Sequence, residues 1–202
     1  MKKTFIFCLL TMLTIKMTYA HNPLSATYYL EVNQELGILN VSVSQAGFQE
    51  ALNKHYPEIN FDKLSDVEYK KLAVGYIKDN FNLMVNGNQV QLLNGGLKLG
   101  NHQTDLKFIT SDLPHKFSNL AIKIDAFKEN DHHQTVFSLS LHGVSDKVIL
   151  TEKNDYATSV NFENNKMVAK TEGFDTKYLW FFTAIPILIV GKKLFSSQKD
   201  SE

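Results

Sequence analysis

The sequence predicts a mostly β, α+β fold: an antiparallel β-sandwich-like domain with two short helices inserted after the second strand. Three observations support this prediction. Runs of alternating apolar and polar residues recur from residue 26 to residue 162, turn-forming residues separate these runs, and the apolar spacing becomes helical only between residues 48 and 80. Roughly 150 residues remain between the two apolar ends of the chain, which is the size of one domain with its own core.

The chain starts with the pattern of a cleaved secretory signal. Two lysines follow Met1, a mostly apolar run continues to Leu13, and small residues precede a cleavage site after Ala20. We therefore expect a signal peptide over residues 1–20 and an exported, periplasmic domain over residues 21–163. A buried N-terminal helix is the alternative that this pattern leaves open.

Alternating apolar residues predict the first two strands. Apolar residues occupy every second position of the first strand: Ala26, Tyr28, Leu30 and Val32. The second strand repeats the alternation from Leu39 to Val43, after a turn near Gly37. Because side chains alternate between the two faces of a strand, each strand is expected to bury one face and expose the other.

The apolar spacing then becomes helical. A first short helix includes Phe48 and is stopped by Pro57. Ser65 and Glu68 form a capping box, in which each side chain satisfies an amide at the start of a helix. A second helix is therefore predicted over about residues 66–80, and its Tyr and Leu stripe is interpreted as core packing.

The remainder of the domain returns to strands. Asn86 and Gly87 lie between apolar runs and predict a hairpin. Asn94-Gly95-Gly96 predicts another turn. Five more strands are expected, over residues 106–109, 120–127, 136–141, 144–150 and 158–162.

The C-terminal part of the chain predicts a linker and a membrane anchor. Residues 164–176 are polar and are interpreted as a linker. Residues 177–195 contain a short apolar run with lysines on both sides and aromatic residues at one end, as in a transmembrane segment with a positive cytoplasmic flank. Residues 196–202 then form a short cytoplasmic tail, and the domain is anchored to the inner membrane. A buried tail or an interfacial segment is the alternative.

Composition excludes several classes of function. Removal of the signal takes away three lysines and no acid, so 18 lysines face 21 acidic residues and the net charge is about −3. The chain has no arginine, the side chain best suited to a bidentate grip on phosphate, so no nucleic-acid partner is expected. Its single cysteine, Cys8, lies in the signal, which rules out a disulfide or thiolate site in the exported part.

The order of motifs resembles that of two known groups. The exported part opens with His21-Asn22-Pro23-Leu24, continues as a strand pair, and has Gly-Phe-Gln-Glu-Ala-Leu at residues 47–52 and a hairpin at residues 83–90. This arrangement resembles a family of uncharacterised exported bacterial β-rich domains with a His-Pro-like N-terminus, which implies a fold and no activity. It also resembles the extracytoplasmic domain of hydrogenase/urease accessory metal permeases, which implies nickel or cobalt traffic. The resemblance covers about residues 21–162.

A metal site is one functional hypothesis. As the N-terminal residue, His21 offers its α-amine and its ring nitrogen together, a chelate suited to copper or nickel. Further ligands would come from a set of acidic and imidazole side chains: Asp131, His132, His133, His102, His115 and His142. The alternative is that His21 merely follows the cleavage site and that residues 131–133 form a polar loop.

A second, more remote hypothesis is a two-histidine phosphoesterase. His102-Gln103-Thr104 and His133-Gln134-Thr135 repeat a His-x-Thr pattern in which one histidine serves as base and the other as acid. His55, at the end of the first helix, is instead interpreted as favouring the negative helix end.

The function that we expect first is a non-enzymatic binding or accessory domain of the cell envelope with an unknown protein partner. Motifs for zinc proteases, serine hydrolases, P-loops and dinucleotide folds are absent from the sequence. Copper or nickel delivery through His21 is the alternative, and the two-histidine hydrolase is the remote one.

Overall fold

The computed structural model describes residues 25–169. The predicted signal over residues 1–20, the anchor over residues 177–195 and the tail over residues 196–202 lie outside the described residues. Within them, no helix is long and apolar enough to cross a membrane.

Six strands form the larger sheet. In spatial order they are β5 (Leu92–Leu99), β6 (Gln103–Thr110), β2 (Leu36–Ser44), β1 (Ala26–Asn33), β8 (Gln134–Leu141) and β9 (Val144–Thr151). Every neighbouring pair is antiparallel except β1 and β8, which are parallel, so the sheet is mixed where the sequence predicted only antiparallel pairs. The long connection between β1 and β8 along the chain allows the parallel pairing.

Five strands form the smaller sheet. In spatial order they are β11 (Lys166–Ala169), β10 (Ala157–Glu163), β7 (Asn119–Ile124), β3 (Phe81–Val85) and β4 (Asn88–Val90). Residues 166–169, which the sequence analysis assigned to the linker, belong to this sheet. The predicted Asn86-Gly87 turn joins β3 to β4, with φ angles of 52° and 80° in the left-handed region that suits Asn and Gly.

The two sheets bury one shared core. The Tyr28 ring of β1 stacks on the Phe81 ring of β3, with centroids 6.0 Å apart. Alternate residues of both sheets point into this core, which confirms the predicted β-rich, sandwich-like fold.

The two helices lie where the sequence predicted them. Helix α1 (Gln45–His55) starts at the Ser44 cap and α2 (Asp66–Asp79) starts at the Ser65–Glu68 capping box. We call residues 45–79 the helical cap. Phe48 of α1 and Tyr76 of α2 are fully buried, and the rings of both lie against Phe127 of the β7–β8 connection.

Two local predictions differ from the structure. The predicted turn at Gly95-Gly96 lies inside β5, where an irregularity between Leu92 and Gly95 absorbs the glycines. Strand β7 ends at Ile124, three residues before the predicted end, and Phe127 takes a φ angle of 70° in the turn that follows. A bulge and a turn carry similar residue types, which explains the first difference.

Candidate functional site

The three neighbouring residues predicted as metal ligands, Asp131, His132 and His133, have different environments. Asp131 and His132 are exposed in the turn before β8, where His132 has a φ angle of 56°. His133 is only 2% exposed, and its Nε2 lies 2.9 Å from the Thr135 hydroxyl. Its ring also lies against those of Phe127 and Tyr156, so His133 is integrated into the core.

The other predicted histidines occupy turns and loops. His102 is exposed just before β6, and its carbonyl accepts a hydrogen bond from the amide of Gln45. His142 takes a φ angle of 50° in the turn between β8 and β9. His115 lies 2.9 Å from the Glu35 carboxylate, and the carbonyl of His115 lies 3.3 Å from Nε2 of His142.

Within residues 25–169, no group of three or more His, Cys, Asp or Glu side chains is arranged to hold a metal ion. His21, the centre of the metal hypothesis, lies outside the described residues. His102 and His133 precede β6 and β8, which are three strand spacings or about 14 Å apart, so this arrangement does not support a shared acid–base pair.

A groove in the helical cap is the largest concave feature that we describe. It has a volume of about 560 Å³, within the range of small-molecule and side-chain binding sites. We call it the cap groove, and nine residues line it: Gln49, Asn53, Pro57, Glu58, Ile59, Asn60, Phe61, Asp62 and Tyr69. They come from the exposed side of α1, the connection between the helices and the first turns of α2.

Local hydrogen bonds fix the shape of the cap groove. The Gln49 amide donates to Asn53 one helical turn later, at 3.0 Å, which holds both side chains along α1. Pro57 follows the last turn of α1 and cannot continue it. In the connection, the Asn60 side chain accepts from the amide of Asp62 at 3.2 Å and caps a short 3-10 turn over Phe61–Lys63.

The cap groove combines aromatic and acidic side chains. The Phe61 and Tyr69 rings meet edge to face with centroids 6.3 Å apart, and burial raises the pKa of the Tyr69 hydroxyl. Glu58 and Asp62 are exposed carboxylates on the same groove. Among the described residues, no lysine or histidine nitrogen lies within ion-pairing distance of either one.

A second constellation lies beneath the end of α1. The Glu129 carboxylate accepts from the Tyr76 hydroxyl at 2.9 Å and lies 2.7 Å from His55 Nδ1. The Tyr76 hydroxyl in turn accepts from the amide of Phe127 at 2.5 Å, and the Lys54 ammonium donates to the carbonyl of Glu129. These contacts tie α1 and α2 to the β7–β8 connection.

This network serves mainly to position structure. Both oxygens of the Glu129 carboxylate and the hydroxyl of buried Tyr76 are already engaged within the protein. The sequence predicted only that His55 favours the negative end of the helix, because its partner Glu129 is 74 residues away along the chain. No local pattern reports such a contact.

A second concave feature is a polar cleft of about 370 Å³ beside residues 128–132. It includes Asp131 and His132 of the predicted cluster, together with Lys128 and Glu152. Because cationic and acidic side chains alternate there, this cleft has no single charge preference. The cap groove, in contrast, is lined by acids without a cation.

Comparisons with known proteins give no assignment. The resemblance to exported bacterial domains therefore stays a prediction. No protein-family model matches the chain, and no curated protein matches it significantly.

Proposed function

We propose that the chain is an exported, non-catalytic binding module of the cell envelope, and that the cap groove is where it holds its ligand. The observation that carries this proposal is the groove itself: about 560 Å³ lined by paired aromatic rings, side-chain amides and two unpaired carboxylates. Binding sites characteristically combine apolar rings with a few polar groups that fix orientation.

The lining of the cap groove favours binding over catalysis. Its nine residues include no serine, threonine, cysteine, lysine or histidine, the side chains that most often act as nucleophile or base. Glu58 and Asp62 are exposed, whereas a catalytic acid–base pair of carboxyl groups needs one member in a desolvated pocket. Export to the envelope is supported by the signal pattern of residues 1–20.

The proposal is tested by mapping ligand contacts on the ¹⁵N-labelled full-length chain with a mixed set of small amines, sugars and short peptides. We expect amide shifts concentrated at residues 49–62 and at Tyr69. Asn53→Trp fills the groove from an exposed helix position and should abolish these shifts, while Lys70→Trp, at an exposed position of α2, should leave them intact. Shifts confined to the outer faces of the two sheets would refute the proposal.

A further inference from the structure

We infer that the cap groove recognises a cationic group, namely the ammonium or guanidinium of a lysine or arginine side chain in a basic peptide segment. This inference rests on the proposed function and deepens it by naming the class of ligand. Three features of the groove carry it: its charge, its aromatic pair and its amide donors and acceptors.

The first feature is charge of one sign. Glu58 and Asp62 both line the groove, and the nine lining residues include no lysine or histidine. Lys54, the only lysine of α1, is held on Glu50 at 2.7 Å and on the carbonyl of Glu129 at 2.9 Å. A cation entering the groove therefore meets carboxylates that form no ion pair with a described lysine or histidine, and anionic ligands are disfavoured.

The second feature is the aromatic pair. Phe61 and Tyr69 present ring surfaces in the groove, and a cation within about 6 Å of a ring centroid is attracted by the ring quadrupole. Ile59 and Pro57 add apolar surface. The aliphatic stem of a lysine side chain can cover such surface while its ammonium reaches the carboxylates at the rim.

The third feature is the amide pair of α1. Gln49 donates to Asn53, which leaves the side-chain NH₂ of Asn53 and the carbonyl oxygen of Gln49 available towards a ligand. These groups match the backbone carbonyl and N–H of an extended peptide. Sugar hydroxyls can also donate to the carboxylates, so the preference for a basic peptide rests on the negative charge of Glu58 and Asp62, which attracts a cation and adds no ionic attraction for a neutral sugar.

The inference is tested with Nα-acetyl-lysine methylamide as the probe and Nα-acetyl-norleucine methylamide as its neutral match. We expect the lysine probe to bind the full-length chain with groove-centred amide shifts. The norleucine probe should bind at least about threefold more weakly, as expected for exposed ion pairs. Raising the ionic strength from about 0.01 M to about 1 M should remove most of this preference, because the charges are exposed.

Substitutions separate the contributions of the carboxylates and of the aromatic ring to binding of the lysine probe. Glu58→Gln combined with Asp62→Asn should abolish the preference for the lysine probe, and Tyr69→Leu should weaken binding of that probe by about twofold to fivefold. Glu163 is an exposed acid on β10 outside the groove. Glu163→Gln is therefore the matched control and should leave the affinity for both probes unchanged.

The outcomes distinguish the two proposals. Equal groove-centred binding of both probes, or a neutral sugar that binds the groove more tightly than the lysine probe, would overturn the cationic assignment and leave the groove as a binding site. Failure of every probe and of the mixed ligand set to shift groove residues would overturn both.

Discussion

Two fully buried tyrosines differ in what their hydroxyl groups contact. The Tyr76 hydroxyl donates to Glu129 and accepts from the amide of Phe127, whereas the Tyr28 hydroxyl has no hydrogen-bond partner among the described residues. Burial raises the pKa of both hydroxyls. Replacement by phenylalanine is therefore expected to destabilise the protein at position 76 but not at position 28.

Tyr76→Phe should destabilise the protein. It leaves the buried amide of Phe127 without its acceptor and removes a donor from the Glu129 carboxylate, and an unsatisfied buried group costs about 1–3 kcal/mol. Urea unfolding of the full-length chain measures the loss. A change within about 0.5 kcal/mol, typical of neutral surface substitutions, would show that the network does not hold the helical cap in place.

Tyr28→Phe should stabilise the protein or leave it unchanged. The ring keeps its stacking on Phe81, while the substitution removes a buried hydroxyl whose burial without a partner costs about 1–3 kcal/mol. The same urea series provides the comparison. A clear destabilisation would mean that the Tyr28 hydroxyl has a partner that the described residues do not include.

At the scale of elements, the sequence correctly predicts those features that depend on residues close together along the chain. The Ser65–Glu68 capping box and the Asn86-Gly87 turn each involve residues three or fewer positions apart, and both lie where they were predicted. The Gly95-Gly96 segment was predicted as a turn because the bulge that it forms depends on pairing with β6. Strand β11 lacks a local signal for the same reason, since its place depends on a neighbouring strand.

The capping box predicts a specific pH dependence. Hydrogen bonds from the side chain and the backbone amide of Ser65 lower the pKa of Glu68 below its ordinary 4.5. A lowered folded-state pKa stabilises the protein above pH 4.5, and this contribution disappears as the pH falls through the folded value. Glu68→Gln should therefore be less stable than the parent at neutral pH, with the difference narrowing below pH 4.5.

Thermal unfolding of both chains across that pH range measures the difference. Glu163→Gln, at an exposed position of β10, controls for the loss of one negative charge. Two stability curves that stay parallel from neutral to acid pH would contradict the role assigned to Glu68.

A glycine-to-alanine substitution is expected to have opposite effects on stability in helix α2 and in strand β2. A Cβ on Gly75, within α2, would meet no atom within 4 Å, so Gly75→Ala should stabilise the protein by about 0.5–1 kcal/mol. A Cβ on Gly37, in β2, would lie 2.5 Å from the Thr110 hydroxyl and 2.7 Å from Leu113, so Gly37→Ala should destabilise it by about 1–3 kcal/mol. Denaturant midpoints compare the two, and equal effects would contradict this packing.

At the scale of the whole molecule, the sequence predicts the fold better than the site. Alternation along each strand is enough to predict a β-rich domain with a buried core, whereas the parallel β1–β8 pair depends on a contact between distant parts of the chain. The cap groove is harder to predict because three successive segments build it. Tyr69 was interpreted as part of a core stripe; it is half-buried, packs against the core and also lines the groove.

The candidate metal ligands likewise show that a site is harder to predict from sequence than a fold. Six of the seven histidines, together with Asp131, were predicted as candidate metal ligands, because residue types indicate chemistry but not position. In the structure, His133 packs in the core, His142 forms a turn and His102 precedes a different strand. Of the cap groove and the polar cleft, only the cap groove is lined by acids without a lysine or histidine.

The most direct test of the central claim is the measurement of intermolecular nuclear Overhauser effects between the lysine probe and the rings of the full-length chain. If the probe binds in the cap groove, its side-chain methylenes should contact Tyr69 and Phe61, and these contacts should be lost in Asn53→Trp. Contacts instead to Tyr29 on the outer face of the larger sheet, or to Tyr156 beside the polar cleft, would show that the ligand binds outside the cap groove.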